Sequence, residues 1–137
     1  MLGLFCSEAA ACSCPVKTFD EFVKNADEIY FATLEEAKVV RSAHERESAF
    51  IAARFDVRRT FKGAPHRGKM MLRTGLGGGD CGIPMLVSQT YIIFKQKELD
   101  GIGDCDGSGG MYHFQEDEVA AKVKAALKKI SSKSAER

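Results

Sequence analysis

The sequence predicts a small, mainly β domain: short antiparallel strands closed into a barrel, with a short helix before them and an amphipathic helix after. Three stretches carry that prediction. From Phe50 to Phe61, the side chains of Phe55, Val57 and Phe61 share one parity while Arg54, Asp56 and Arg58 take the other, the period-two alternation of a half-buried antiparallel strand. Thr90 to Lys95 holds Tyr91, Ile92, Ile93 and Phe94 in unbroken succession, as a fully buried strand does. From Glu116 to Ile130, Val119, Val123, Leu127 and Ile130 recur at the spacing of one helical face.

In chain order, residues 1–11 stand apart. Leu2, Leu4 and Phe5 are apolar, and Ser7 to Ala11 is a mostly small-residue run that stops at Cys12. This resembles the tail of a secretory signal with its cleavage site. The expectation is a signal-peptide remnant over 1–11, or else a disordered extension, and a single domain over 12–137. Thr18 with Glu21 three residues on is a capping-box signature. It opens a short helix with Phe19, Phe22 and Val23 on its apolar face, ended by Asn25-Ala26-Asp27. Glu28 to Val40 is a long first strand around the β-prone Ile29-Tyr30-Phe31, although Glu35-Glu36-Ala37-Lys38 could be helical. Arg41 to Ser48 is a polar hairpin loop in which His44 is solvated. Lys62-Gly63-Ala64-Pro65 is a turn, and Lys69 to Thr74 a third strand.

Gly75 to Gly82 is a glycine-rich loop. A phosphate-binding loop needs a helix next, and Ile83-Pro84 follows instead. The glycines are therefore expected to let the backbone pass close to Cys12-Ser13-Cys14. Gly101 to Cys105 reads as a turn and short strand, and Asp106 to Gly110 as a loop. Asp100, Asp104 and Asp106 lack the spacing and closing glutamate of a calcium hand. In the last helix, about 116–130, Glu116-Asp117-Glu118 and Lys128-Lys129 suit the two ends of the helix dipole; Ser131 onward reads as a frayed tail.

An ordinary globular balance, 45% hydrophobic and 28% charged, fits one domain. A formal net charge of +1 leaves no basic footprint for nucleic acid. Tyr30 and Tyr91 could stack bases, but core packing accounts for their rings. No apolar run approaches the ~20 residues that span a bilayer. No Ser/His/Asp order or pair of acid/base carboxylates stands out: Asp20-Glu21 and Glu35-Glu36 read as solvated faces, and His66 and His113 lie apart in the chain. The expectation is a monomeric binding protein, not an enzyme, with no cofactor.

Chemistry concentrates in the cysteines. Cys12 and Cys14, one residue apart, do not easily bond each other, because disulfide geometry is demanding. Each needs a distant partner, and the chain supplies Cys81 and Cys105. Once Cys6 is removed with the first eleven residues, an even four remain, which suits an oxidising, extracytoplasmic setting. Four cysteines allow three pairings; the neighbour argument disfavours one and leaves two open. A cytosolic metal site on these cysteines, with His66 or His113, is an alternative, although Cys-x-Cys departs from the usual spacing of structural zinc.

Taken in order, Cys12-Ser13-Cys14-Pro15, Phe55-Asp56-Val57 leading to Phe61-Lys62-Gly63, Thr74, Asp80-Cys81-Gly82, Tyr91-Ile92-Ile93-Phe94 and Cys105 resemble the netrin-like module. Its best-known members are the tissue inhibitors of metalloproteinases. The resemblance runs from about Cys12 to Cys105. It implies a five-stranded Greek-key barrel of the oligonucleotide/oligosaccharide-binding type flanked by helices, and the pairing Cys12–Cys81 with Cys14–Cys105. In the inhibitors the mature chain begins at the first cysteine of this motif, whose α-amino nitrogen and carbonyl oxygen chelate the protease's zinc. The resemblance therefore implies that Cys12 is a terminus that chelates the partner's zinc and Ser13 the residue entering its specificity pocket. Cys14, Pro15, Gly79 and Asp80 complete the implied contact surface. The implied protein is a secreted metalloprotease inhibitor; a non-inhibitory extracytoplasmic binding module of the same fold is the alternative.

Overall fold

The computed structural model describes residues 12–41 and 49–137. The expectations for residues 1–11, for Cys6, and for His44 and most of its loop lie outside those residues.

The first helix, α1 (Phe19–Asn25), starts as a capping box: Glu21 N–H donates to the Thr18 hydroxyl at 3.3 Å, and Thr18 N–H donates to the Glu21 carboxylate at 2.6 Å. Five strands follow: β1 (Glu28–Val40), β2 (Phe50–Lys62), β3 (Gly68–Thr74), β4 (Thr90–Lys95) and β5 (Gly109–Met111). The last helix is α2 (Glu116–Ala135). Lys62, at the end of β2, closes α1 from outside by donating its ammonium to the carbonyls of Val23, Lys24 and Ala26, groups that a helix C-terminus leaves unpaired.

The strands form one antiparallel sheet in the order β3-β2-β1-β4-β5. β3 and β5 end that order, and no ladder joins them among the described residues. One parallel bridge, Arg73 with Gly101, reaches from β3 toward the segment before β5. There Arg73 N–H donates to the Asp100 carbonyl and Ile102 N–H to the Arg73 carbonyl, both at 2.8 Å. No described helix is long and apolar enough to cross a membrane.

The sheet has apolar residues on both faces. Its inner face gathers Tyr30, Leu34, Phe55, Leu72, Tyr91 and Ile93, roofed by the loop residues Ile83 and Ile102. Its outer face gathers Ile29, Phe31, Ile92 and Phe94 under Val23 of α1 and Val123 of α2. β1 and β4 thus bury both faces, which is why β4 has no polar alternation. β2 buries Ala53, Phe55 and Val57 inward and exposes Arg54 and Arg58. Phe61 leaves that row. Between Ala32↔Val57 and Phe31↔Arg59 the register shifts by one residue of β2, and such a bulge moves the following side chains to the opposite face. Phe61 therefore packs on Phe31, ring centroids 4.7 Å apart, in the outer core.

Three further expectations need correction. β1 runs unbroken through Glu35-Glu36-Ala37-Lys38 instead of turning helical, and there Glu35 pairs with Lys69 and Arg54, and Glu36 with Arg54, across the sheet. The fifth strand is Gly109–Met111, not within 101–105, which holds only the bridge at Gly101 and part of a 3-10 turn over Asp104–Asp106. Gly109 and Gly110 carry no side-chain signal; what makes them a strand is the backbone edge of β4. The last helix runs five residues past Ile130, to Ala135. No Gly or Pro stops it, and Ser132 and Ser134 donate their hydroxyls to the carbonyls of Lys129 and Ile130.

Candidate functional site: a doubly clamped leading edge

The residues before α1 run without regular structure, with burial alternating from Cys12 to Pro15. Cys12 and Cys14 are half-buried, Ser13 and Pro15 exposed, and Val16 fully exposed. This is the two-residue period of an extended chain: both sulfurs point to the body and Ser13 points away.

Cys12 is bonded to Cys81 and Cys14 to Cys105, with Cα atoms 5.0 Å apart in each pair. The two bonds span 69 and 91 residues. They also lie side by side. Cys12 Sγ is 3.8 Å from Cys14 Sγ, and Cys105 Sγ is 3.5 Å from Cys81 Sγ. The segment is thus tied at two successive inward positions, which removes its freedom to pivot about either one.

Cys81 sits at the end of the glycine-rich loop with φ 59°, a left-handed conformation uncommon outside glycine. Its carbonyl accepts from Asp104 N–H at 2.9 Å, next to Cys105. That approach requires Gly103, because a Cβ there would lie 2.6 Å from the Cys81 carbonyl oxygen. A Cβ on Gly82 would overlap the Gly75 backbone, and one on Gly75 would overlap the Asp80 carboxylate. These glycines serve the loop's packing on itself and on the turn before Cys105.

Asp80 organises the loop. Its carboxylate accepts from the backbone N–H of Leu76 at 2.6 Å, Gly77 at 2.9 Å and Gly82 at 3.1 Å. The N–H groups of Gly82, Leu76 and Gly77 hold its carboxyl below the ordinary aspartate range. Asp106 does the same for the second cysteine loop, accepting from Gly103 N–H at 2.9 Å and Ser108 N–H at 2.8 Å. Burial pushes the Asp106 carboxyl up, against these two bonds. In both loops the aspartate binds the N–H two residues on, an Asx turn. Asp80-x-Gly82 and Asp106-x-Ser108 are the sequence signals that would have pointed to these two scaffolding carboxylates. Behind the clamp lies a cleft of about 290 Å³, lined by Lys17, Asn25, Phe94, Asp80 and Asp106 among others.

Among the described residues, the four cysteines are the one grouping of metal-ligating side chains. His66 lies beside the Tyr30 ring, centroids 6.1 Å apart, and His113, exposed, lies in the 3-10 turn before α2, against Glu116. Neither joins the cysteines. Asp100 is paired with Arg73 at 2.9 Å. Tyr30 and Tyr91 are buried in the inner core, and the Tyr91 hydroxyl donates to the Pro84 carbonyl and accepts from Leu86 N–H, both at 2.8 Å. Gly79 has φ 120° beside Asp80 in the same loop. No model of a known protein family matches the chain, and no curated protein matches it.

Proposed function

We propose that the chain is a secreted netrin-like domain that binds a protein through its clamped leading edge, and that the partner is a zinc metalloprotease inhibited through Cys12. The observation that carries this reading is the double staple. Two disulfides fix residues 12–14 while Ser13 stays exposed between them. A rigid edge loses little conformational freedom on binding. A terminal α-amine and carbonyl at Cys12 would then be held ready to replace water at a catalytic zinc, which keeps one position open. Read from the other end, four strands run β4-β1-β2-β3, the spatial order of a Greek key. With the Arg73–Gly101 bridge between the sheet's two ends, this order supports the barrel reading.

The test uses the chain beginning at Cys12 and the same chain N-acetylated, each assayed against zinc metalloproteases. Inhibition by the first and none by the second is expected. Equal inhibition by both would remove Cys12 from the mechanism. The processed N-terminus in the native host, read by mass spectrometry, must also be Cys12.

A second reading, a binding module without inhibitory activity, draws support from the loop beside the edge. Gly75, Gly77 and Gly78 offer no side chains, and the Asp80 carboxylate faces its own backbone. Such a module would keep its partner after acetylation.

A further inference from the structure

The four sulfurs lie within 4.8 Å of one another. A zinc ion held by four thiolates at about 2.3 Å sets its sulfurs about 3.8 Å apart along the edges of a tetrahedron. The contacts between the two disulfides, 3.8 Å and 3.5 Å, already lie near that spacing. We propose that, once both disulfides are reduced, the same four cysteines hold one Zn²⁺ ion in a closed tetrahedral site. The inference goes beyond the reading above, which concerns the oxidised protein.

The step balances as follows. Each disulfide takes two electrons and two protons from a dithiol, which leaves as its own disulfide. The four thiols formed then release four protons as they bind Zn²⁺, since thiolate is the ligand. Only the two bonded pairs have to part. Their Cα atoms stand 5.0 Å apart, close enough for side-chain rotation to open each pair while the backbone stays in place.

The surroundings favour sulfur as the whole donor set. Ligands arrive from three segments: the leading edge, the loop ending at Gly82, and the Asp104–Asp106 turn. The nearest scaffolding carboxylates, Asp80 and Asp106, are already occupied by backbone N–H groups. The four cysteines are all half-buried, so a bound ion would be shielded without being sealed off. The Cys-x-Cys spacing, unusual for structural zinc, is accommodated because those two ligands belong to an extended strand-like segment that points both sulfurs inward.

The experiment uses the full chain carrying Cys6→Ser, reduced with a phosphine, which takes up oxygen from water as it delivers the electrons. It is titrated with Zn²⁺ and separately with Co²⁺ as a spectroscopic probe, with native mass spectrometry for stoichiometry. One metal per reduced chain, none on the oxidised chain, and the absorption of tetrahedral cobalt thiolate are expected. Cys12→Ser, Cys14→Ser, Cys81→Ser and Cys105→Ser should each weaken Zn²⁺ binding by more than about 100-fold, beyond what losing a residue that only supports a ligand costs. Far-ultraviolet circular dichroism of the zinc-loaded reduced chain should match that of the oxidised chain. The proposal is overturned if the reduced chain takes up no stoichiometric metal, folded or unfolded. It is equally overturned if the oxidised chain binds as well, if single serines leave affinity unchanged, or if zinc fails to restore the fold. Protease inhibition is assayed on the oxidised chain, so the two readings fail separately.

Discussion

The two faces of the sheet are held by different means. The outer face is covered by α1 and α2, which pack Val23, Val123 and their neighbours onto Ile29, Phe31 and Phe94. Each helix supplies its own backbone hydrogen bonds and needs only an apolar stripe to dock. The inner face is roofed by loops, through Ile83 and Ile102, and a loop has no hydrogen-bonded lattice of its own. These loops are fixed by hydrogen bonds to β3, Ile83 N–H donating to the Thr74 hydroxyl and Ile102 N–H to the Arg73 carbonyl, and also covalently, since each lies two or three residues from a cysteine bonded to the leading edge. On the inner face the disulfides reinforce hydrogen-bonded loops where helices are lacking, and the proposed binding edge is a by-product of that reinforcement.

Removing one of the two disulfides should separate the two faces most clearly. Cys14→Ser removes a bond spanning 91 residues; because Cys12–Cys81 still shortens that loop, the chain-entropy model gives about 3.5 kcal/mol. Urea unfolding measures the loss. Native-state hydrogen exchange of the same variant should show amides around Leu72 and Ile83 opening before those around Val123. Equal opening on both faces would mean that the disulfides do not serve one face in particular.

Core truncations come next. Phe55→Ala, on the inner face, removes a fully buried ring whose centroid lies 5.4 Å from that of Tyr91, and should cost about 3–5 kcal/mol. Val123→Ala, its counterpart in α2, removes two methyl groups and should cost about 2 kcal/mol. With the disulfides intact, both variants should keep a single cooperative melt; two separated transitions would show that the faces unfold independently. A smaller effect is expected where the sheet touches the helix end. Lys62→Met takes the cation from three carbonyls at the end of α1 and should cost about 1.5 kcal/mol, seen as faster exchange confined to α1.

The smallest effect is a matter of pH. Asp80 is held below its ordinary value of 3.8 by the N–H groups it accepts. A lowered carboxylate contributes stability above its unfolded value and loses it as pH falls through the folded one. The amide resonances of Gly77 and Gly82 should therefore shift together in acid, with a midpoint below 3.8, while those of α2 near Val123 stay put. A midpoint at or above 3.8 would remove Asp80 as the organiser of the loop.

Much of the outer framework was legible because its signals are local. The Thr18–Glu21 box, the apolar run of β4 and the stripe of α2 each declare an element without reference to the rest of the chain. The bounds of β1 and β4 were read to the residue. β5 was missed because glycines hide a strand made by its neighbour's backbone, and the reversal at Phe61 because a bulge belongs to a pair of strands, not to one. At the site, the importance of the four cysteines could be read from spacing, while an outward-facing Ser13 was implied only by the family resemblance. The turn of Asp80 onto its own loop was missed although Asp80-x-Gly82 carries a local signal for it; the need for Gly75, Gly82 and Gly103 could not be read, since it depends on which backbone segments meet in three dimensions.

The order in which the bonded residues are made has a consequence for biogenesis. A ribosome adds about 5–20 residues each second, so the 69 residues separating Cys12 from Cys81 represent roughly 3–14 s of synthesis at that pace. Cys14 waits longer for Cys105. The front of the chain therefore emerges as a pair of open thiols while β1, β2 and β3 are still being assembled behind it. Oxidation in this molecule closes the fold only once Cys81 and then Cys105 have been made, and until then the leading thiols are available to whatever redox partner greets the nascent chain.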